Sequence, residues 1–391
     1  MDDYQDKKKQ PEEEKKPGLL RGILRRFLGL IITVVVVLGL IVVTMLGTSN
    51  RLDGIRRWLL YGDGSDRQTY AFAAGSANRY GQIGDLLVVL NQNDLSILRD
   101  DGTAAFTQQV GMSQPALDVG GGFAVAYDVG GQKLVMASPE GEALSLQLEE
   151  GHSFISARLN DSGWLAVVAE RSGYRAAVSV YNDEQQLVYE VGISSRYLLD
   201  AVVSDDCGFV VAAAMTQEDG AFSGQLVAYS LQGEEPAWEA SLGNHLVLDM
   251  DSLGDSYVTV SENDILFTDR EGQGSQQFTY SGLYLRQYTL DGDGFGALLL
   301  NRYQAGSIGT LVTLDSQGEV IATQDIVQEV LDVSASGNYL AVLMSNSLVI
   351  YDRNLEEYAR LEDTGYANHV IMQSDGSALV IGGSTAFRFL P

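Results

Sequence analysis

Short apolar runs separated by Ser/Asp/Gly turns recur along most of this chain, most clearly in LDVSASGNYLAVLMSNSLVIYDRN, from Leu331 to Asn354. Degraded copies stand at ARLNDSGWLAVVAE (Ala157 to Glu170), AVVSDDCGFVVAAA (Ala201 to Ala214) and MQSDGSALVIGG (Met372 to Gly383). Each copy holds an apolar run, a turn and a second apolar run, the pattern of adjacent antiparallel strands. The runs that precede the turns fall near Arg79, Ala116, Ile155, Leu199, Leu246, Tyr284, Val330 and Val370. Their spacing of about 42 residues suits four-stranded propeller blades. Blade seven reads directly as VLDVS, YLAVLMS, SLVIYD and EYARLED.

The last copy, HVIMQSDGSALVIGGSTAFRFLP, stops after three strands. An open eighth blade leaves one sheet edge unpaired and the ring unclosed. YAFAAGS (Tyr70 to Ser76), ahead of the first copy, is available as the missing strand. The pattern therefore predicts an all-β fold, a β-propeller of eight blades closed by N-terminal strand exchange. Seven blades is the alternative, because the first copy (Asn78 to Val110) has a weak inner strand.

A different pattern occupies Phe27 to Leu46, FLGLIITVVVVLGLIVVTML, twenty residues without a charge. That length matches the ~20 residues a helix needs to cross a bilayer. Lys7, Lys8, Lys9, Lys15, Lys16, Arg21, Arg25 and Arg26 precede it, whereas Arg51, Arg56, Arg57 and Arg67 follow. The positive-inside bias puts the N-terminus in the cytoplasm and the repeats outside, as a single-pass protein of the cell membrane. The competing reading is a cleaved signal peptide with Gly47 and Ser49 near the cut, but the run exceeds the usual apolar region of such a peptide. The expected organisation is a disordered basic tail at 1–26, the transmembrane helix at 27–46, a juxtamembrane linker at 47–68 and an extracytoplasmic propeller at 69–391. Within the linker, Trp58 and Tyr61 of IRRWLLYG suit either an interfacial segment or an ordinary connection.

Charge sharpens this division. Eight of the 25 basic and six of the 52 acidic residues precede Gly47, so the remainder carries 17 against 46. A domain this acidic is repelled by nucleic acid, which excludes that class of partner. Cys207 is the one cysteine, so no intramolecular disulfide forms and stability rests on the core.

GHSF at Gly151 superficially resembles the Gly-His of WD40 repeats, but no Trp-Asp dipeptide occurs. With tryptophan only at Trp58, Trp164 and Trp238, the tryptophan-docking repeats of quinoprotein dehydrogenases are absent. The order of basic tail, apolar helix and blades with GGFAVAYDVGGQKL, GWLAVVAERSGYRAAVSVYN and NYLAVLMSNSLVIYD resembles a bacterial family of unknown function from Gram-positive, clostridial-type species. The resemblance spans nearly the full length and implies a cell-surface propeller without a known activity.

His152, His245 and His369 each stand just before an inner strand, in GHSFISA, GNHLVLD and ANHVIM. Loops entering inner strands gather on one face, which also receives Arg196, Asn244, Tyr284, Arg286 and Asn368. Such a ring offers hydrogen bonds and stacking to a polar ligand such as a glycan or peptide, set against the plainer reading of solvated loops. Asp118, Asp249 and Asp332 recur within inner strands, either lining the channel or bonding neighbouring backbone. DMDSLGD (Asp249 to Asp255) and DGDG (Asp291 to Gly294) read better as turns than as calcium loops. The blades bearing the histidines are too far apart for easy convergence, so no metal or cofactor is expected. There is no Gly-x-Ser-x-Gly, His-Glu-x-x-His or Walker sequence.

These features point to a membrane-anchored binding or assembly module of the cell envelope. Its partners are the bilayer, through the helix, and an envelope protein or glycan. The alternative is an envelope hydrolase or lyase acting on carbohydrate, with carboxylates from several blades.

Overall fold

A computed structural model describes residues 69–75, 78–218 and 220–391. The expected tail, membrane helix and linker lie outside the described residues. Among those described, no helix is long and apolar enough to cross a membrane.

Eight antiparallel sheets of four strands follow one another around an eight-bladed β-propeller. The inner strands are Arg79–Ile83, Pro115–Gly120, Phe154–Leu159, Tyr197–Val203, Asp249–Leu253, Tyr284–Gly292, Val330–Ser336 and Ala367–Met372. Seven blades use four consecutive strands. The eighth combines Ala367–Met372, Ala378–Gly382 and Thr385–Phe389 with Thr69–Ala71 from the start of the described chain.

Blade seven explains the sequence pattern. Its second strand, Tyr339–Met344, is buried at every position because both faces of the sheet meet a neighbouring blade. Leu340, Val342 and Met344 pack with Phe295, Ala297 and Leu299 of blade six. The alternate residues Tyr339, Ala341 and Leu343 pack with Val370, Ala378 and Val380 of blade eight. A strand buried on both faces reads as a continuous apolar run. The outer strand, Glu357–Glu362, meets solvent and alternates accordingly.

The turns after the inner strands need a left-handed residue. Gly337 supplies it in blade seven with φ 57°, and a Cβ there would lie 3.0 Å from Cα of Ser374 in the next blade. Cys207 holds the same conformation in blade four, with φ 54°, at a position where glycine is the unstrained choice.

Closure occurs where expected, over a shorter stretch. Thr69, Tyr70 and Ala71 pair with Phe387, Ala386 and Thr385. Beyond this strand Phe72 N still donates to Ser384 O at 3.0 Å. Tyr70 is fully buried at the seam with Leu87, Val89, Leu379 and Ile381, and its hydroxyl donates to the Asp85 carbonyl at 2.7 Å. The weak inner strand of blade one also has a packing cause. A Cβ on Gly81 would stand 2.5 Å from Val119 Cγ2 of blade two, so glycine lets the two blades approach. Leu246, expected in an inner strand, lies instead in the loop before Asp249.

Because the strands alternate in direction, all inner strands begin at one end of the ring, the upper face. Loops entering inner strands and loops joining second to third strands lie there; the remaining turns form the lower face. The upper edge is stitched by Gly130 N donating to Phe154 O at 2.9 Å, and the lower edge by Asp293 N donating to Gly337 O at 2.7 Å. Thr69 begins its strand on the lower face, where its carbonyl would be 3.8 Å from a Cβ on Gly102. The polypeptide thus enters the propeller from below.

Tyr70→Ala empties the closing seam and is expected to cost about 3–5 kcal/mol, as for other buried aromatic truncations. Chemical denaturation monitored by tyrosine and tryptophan fluorescence measures it; an unchanged midpoint would show that closure does not depend on this ring.

Candidate functional site

Asp118, Asp200, Asp249 and Asp332 each follow a leucine and stand in inner strands. Two of these aspartates clasp the next blade. Asp118 Oδ2 accepts the Leu159 amide at 2.7 Å, and Asp332 Oδ2 accepts the Val370 amide at 2.9 Å. Farther along, Ser334 accepts from Met372 N at 3.0 Å and Thr289 from Ala335 N at 3.1 Å. The other two turn to Arg158. Its guanidinium meets Asp200 Oδ2 at 3.0 Å and also Asp249, whose second oxygen accepts the Tyr288 hydroxyl at 2.7 Å. Burial opposes the charge on Arg158, but Asp200, Asp249 and Asp118 outweigh it and push its pKa up.

Below this network a cavity of about 500 Å³ opens at the lower face, lined by Asp118, Arg158, Asp161, Asp251, Asp291 and Asp293 among others. Burial pushes Asp251 up to about 7, with the Asp291 charge adding to the rise. Asp118 is pushed up to about 6 by burial, against the pull of Arg158 and the Leu159 amide. Burial among the neighbouring inner strands also raises Asp291, although the residue keeps an exposed surface. Arg158 is the one cation among the described residues that line this cavity. Among the described residues, no group of three or more His, Cys, Asp or Glu is arranged to hold a metal ion.

The upper-face residues named from the sequence do share a face, but they divide among separate cavities. His152 Nε2 lies 3.0 Å from Ser172 Oγ, in a cavity of about 470 Å³ with Lys133 and Glu170. Asn244 and His245 line another of about 600 Å³ with Leu246, Leu248, Asn263 and Gln277. His245 is 6% exposed, with Nδ1 2.5 Å from Asp264 Oδ1; burial lowers its pKa and favours the neutral ring donating to that carboxylate. Arg286 lines a third cavity, of about 400 Å³, with Asn301, Gln304 and Glu329.

The remaining upper-face residues are spread around the ring. Arg196 donates to Gln225 at 3.1 Å and to Glu239 at 3.0 Å, while Arg175 stacks 4.0 Å over the Tyr197 ring. Tyr284 and Asn368 are exposed. His369 sits 3.4 Å from Asp332 and packs against Tyr80 at the seam between blades eight and one. The three histidines therefore contribute to no common pocket.

Sequence reasoning missed Arg158, Asp200 and Tyr288, and read as turns the stretches holding Asp251 and Asp291, which lie at the ends of inner strands. Asp200 was readable from the repeated Leu-Asp pair. Arg158 carried one signal, a rare cation inside an inner strand of an acidic domain.

The two faces differ sharply. Of the 14 exposed large apolar or aromatic side chains among the described residues, all but Leu187, Val188 and Val320 lie on the upper face. They include Tyr174, Tyr197, Phe222, Leu246, Leu248, Tyr284, Tyr303, Ile308, Val327 and Tyr366. Arg79, Lys133, Arg171, Arg175, Arg196, Arg286 and Arg302 stand at the same end. The lower face instead gathers the acidic pairs Asp100–Asp101, Asp183–Glu184, Asp205–Asp206, Glu234–Glu235 and Glu356–Glu357, with Arg99, Arg270 and Arg353 as its loop cations.

This fold and its two unlike faces define a closed β-propeller with an aromatic end, where most of the exposed apolar side chains gather, and a strongly acidic end. The family described as "Family of unknown function (DUF5711)" matches residues 61–383, and the chain belongs to it. No curated protein matches. Among solved structures, the computationally designed Ika8 protein is similar at 12% identity and TM-score 0.58, covering 83% of this chain and 100% of that one. A eukaryotic initiation factor is similar at 12% identity and TM-score 0.52, with 81% and 89% covered. Dihydro-heme d1 dehydrogenase NirN is similar at 12% identity and TM-score 0.51, with 75% and 67% covered. At these identities the likeness is one of fold alone.

The acids of the lower cavity set the sign of two expected effects. An acid whose pKa rises on folding holds its proton more tightly in the folded state, so its contribution to stability is complete below about pH 4. For Asp251 that contribution is lost as pH rises through about 7. Asp251→Asn is expected to raise Tm by a few degrees at about pH 8 and to leave it nearly unchanged at about pH 5. Arg158→Met strands Asp200 and Asp249 and is expected to cost about 3–5 kcal/mol at about pH 8, and less at about pH 5. Thermal melts at the two pH values check both; the opposite pH trend for Asp251→Asn would refute its assignment.

Proposed function

We propose that this protein is a membrane-anchored binding or assembly module of the cell envelope, working through its upper face. The observation that carries this reading is the gathering of exposed tyrosines and branched aliphatic side chains on the face opposite the point where the chain enters the ring. Monomeric surfaces rarely expose contiguous apolar patches of this kind without a partner. The composition also fits, since Tyr and Arg are the side chains that most often dominate interface energetics. Asp118, Asp200 and Asp249 are engaged by amides, Arg158 and Tyr288. These ties between blades favour a binding role over the hydrolase alternative.

In this reading residues 27–46 anchor the chain, 1–26 stay in the cytoplasm, and an envelope protein or glycan meets the propeller outside the cell. The charge pattern agrees, because an acidic domain is kept from non-specific contact with nucleic acid and anionic surfaces.

Two measurements test it in cells producing the full chain. External protease is expected to cleave a tag at the C-terminus but not one at the N-terminus, and the reverse pattern overturns the orientation. Photo-cross-linking groups at positions 248 and 303 are expected to capture envelope partners, whereas one at 320 is not. Equal capture from all three removes the upper face as the binding surface.

A further inference from the structure

Lys133 is the one lysine after Lys16. It opens the third strand of blade two, Lys133–Ser138, at the upper junction with blade three. Its ammonium donates to the Val110 carbonyl at 3.1 Å and forms no ion pair among the described residues. An ammonium carries three donors, so the fold leaves two of them unused. The cavity of about 470 Å³ that Lys133 lines is also lined by Asp128, which is 8% exposed. Asp128 Oδ1 accepts the Ser113 and Gln114 amides at 2.9 and 2.6 Å, which fixes the carboxylate. Its Oδ2 accepts no hydrogen bond among the described residues, a costly state for an oxygen of a largely buried carboxylate.

Glycine keeps both charged groups uncovered. A Cβ on Gly131 would stand 2.2 Å from Asp128 Oδ2, and one on Gly111 would stand 3.5 Å from Lys133 Nζ. Gly131 is pinned beside the carboxylate by its own amide, which donates to the Asp128 carbonyl at 2.9 Å. Gly130 and Gly151, left-handed at φ 74° and 88°, add no side chain to the lining. Gln132, Gln147, His152, Ser153 and Glu170 complete it, and among the described residues no apolar side chain lines this cavity.

We propose that this cavity binds a small polar α-amino acid as its zwitterion, the ammonium on Asp128 Oδ2 and the carboxylate on Lys133. Such a site is separate from the apolar surface argued above and does not depend on it. Charge selects the ligand class. Lys133 and Asp128 share the cavity without pairing, so each holds an unmet charge. A simple anion would meet Asp128 and Glu170, and a simple cation would meet Lys133. A zwitterion answers both at once, through charge-assisted hydrogen bonds roughly twice as strong as neutral ones. The volume lies in the lower part of the range of roughly 300–1,000 Å³ seen for small-molecule sites. The polar lining suits a hydroxyl or amide side chain and offers a branched aliphatic one no wall.

The test is isothermal titration calorimetry of the full chain in detergent, at about pH 7, where an α-amino acid carries both charges. The probes are serine, glutamine, leucine, acetate and ethylamine. Serine and glutamine are expected to give one-site isotherms, whereas acetate and ethylamine, with one charge each, and leucine bind at least tenfold more weakly. Lys133→Met keeps the aliphatic stem without the ammonium, and Asp128→Asn keeps an oxygen for the Ser113 and Gln114 amides without the charge. Each is expected to weaken serine and glutamine binding roughly tenfold or more, while Arg99→Met, on the lower face, leaves it unchanged. Thermal melts confirm that the variants remain folded, and Lys133→Met, at an exposed position, carries the test should Asp128→Asn fail to fold. Absence of binding by both serine and glutamine at millimolar concentration overturns the proposal, as does binding that survives Lys133→Met. Equal binding of acetate or ethylamine overturns the zwitterion assignment. Capture by cross-links at 248 and 303 reports on the apolar surface separately, so either reading can fail alone.

Discussion

Neither face of a blade can be left to water. Tyr339–Met344 shows why: its odd and even positions enter two different cores, one shared with blade six and the other with blade eight. A row of blades built this way exposes an apolar sheet at each end, and the only arrangement with no end is a ring. Closure is therefore the condition on which every blade core depends. The chain meets it by lending Thr69–Ala71 to the sheet of its last blade.

The channel network is a polar counterpart of that requirement. Inner strands converge where there is too little room for large apolar side chains, so contact between blades is made by short acceptors reaching neighbouring amides. Asp118, Thr289, Asp332 and Ser334 do this directly. Arg158 replaces the pattern on one side of the ring, drawing Asp200 and Asp249 from two successive blades to a single cation. Breaking such a pair is costly because the remaining charge is left buried. The acids crowded below it make the same region a place where stability and ionisation oppose each other.

Much of the fold was legible because blades repeat a local chemistry. Buried second strands read as apolar runs, turns read as Ser/Asp/Gly, and the missing last strand pointed to a donor near Tyr70. Boundaries were less legible where tertiary packing sets them, as at Gly81, whose place in a strand is explained by Val119 of another blade. The candidate site was readable in part. The shared face of the histidine-bearing loops followed from topology, but their division among separate cavities depends on how far apart blades three, five and eight stand. Of the aromatic face only Tyr284 was read, since a tyrosine at a strand start carries no sequence mark of whether a neighbour covers it.

The closing strand has a mechanical meaning as well. It is the first described segment of the chain, it runs from the lower face, and three residue pairs with blade eight secure it. Any pull transmitted from the preceding residues is therefore borne by these pairs before it reaches another blade. Yielding there would unfasten the ring at one seam, with the remaining seven blades still holding their own strands. The shortest strand of the propeller is thus its natural fuse.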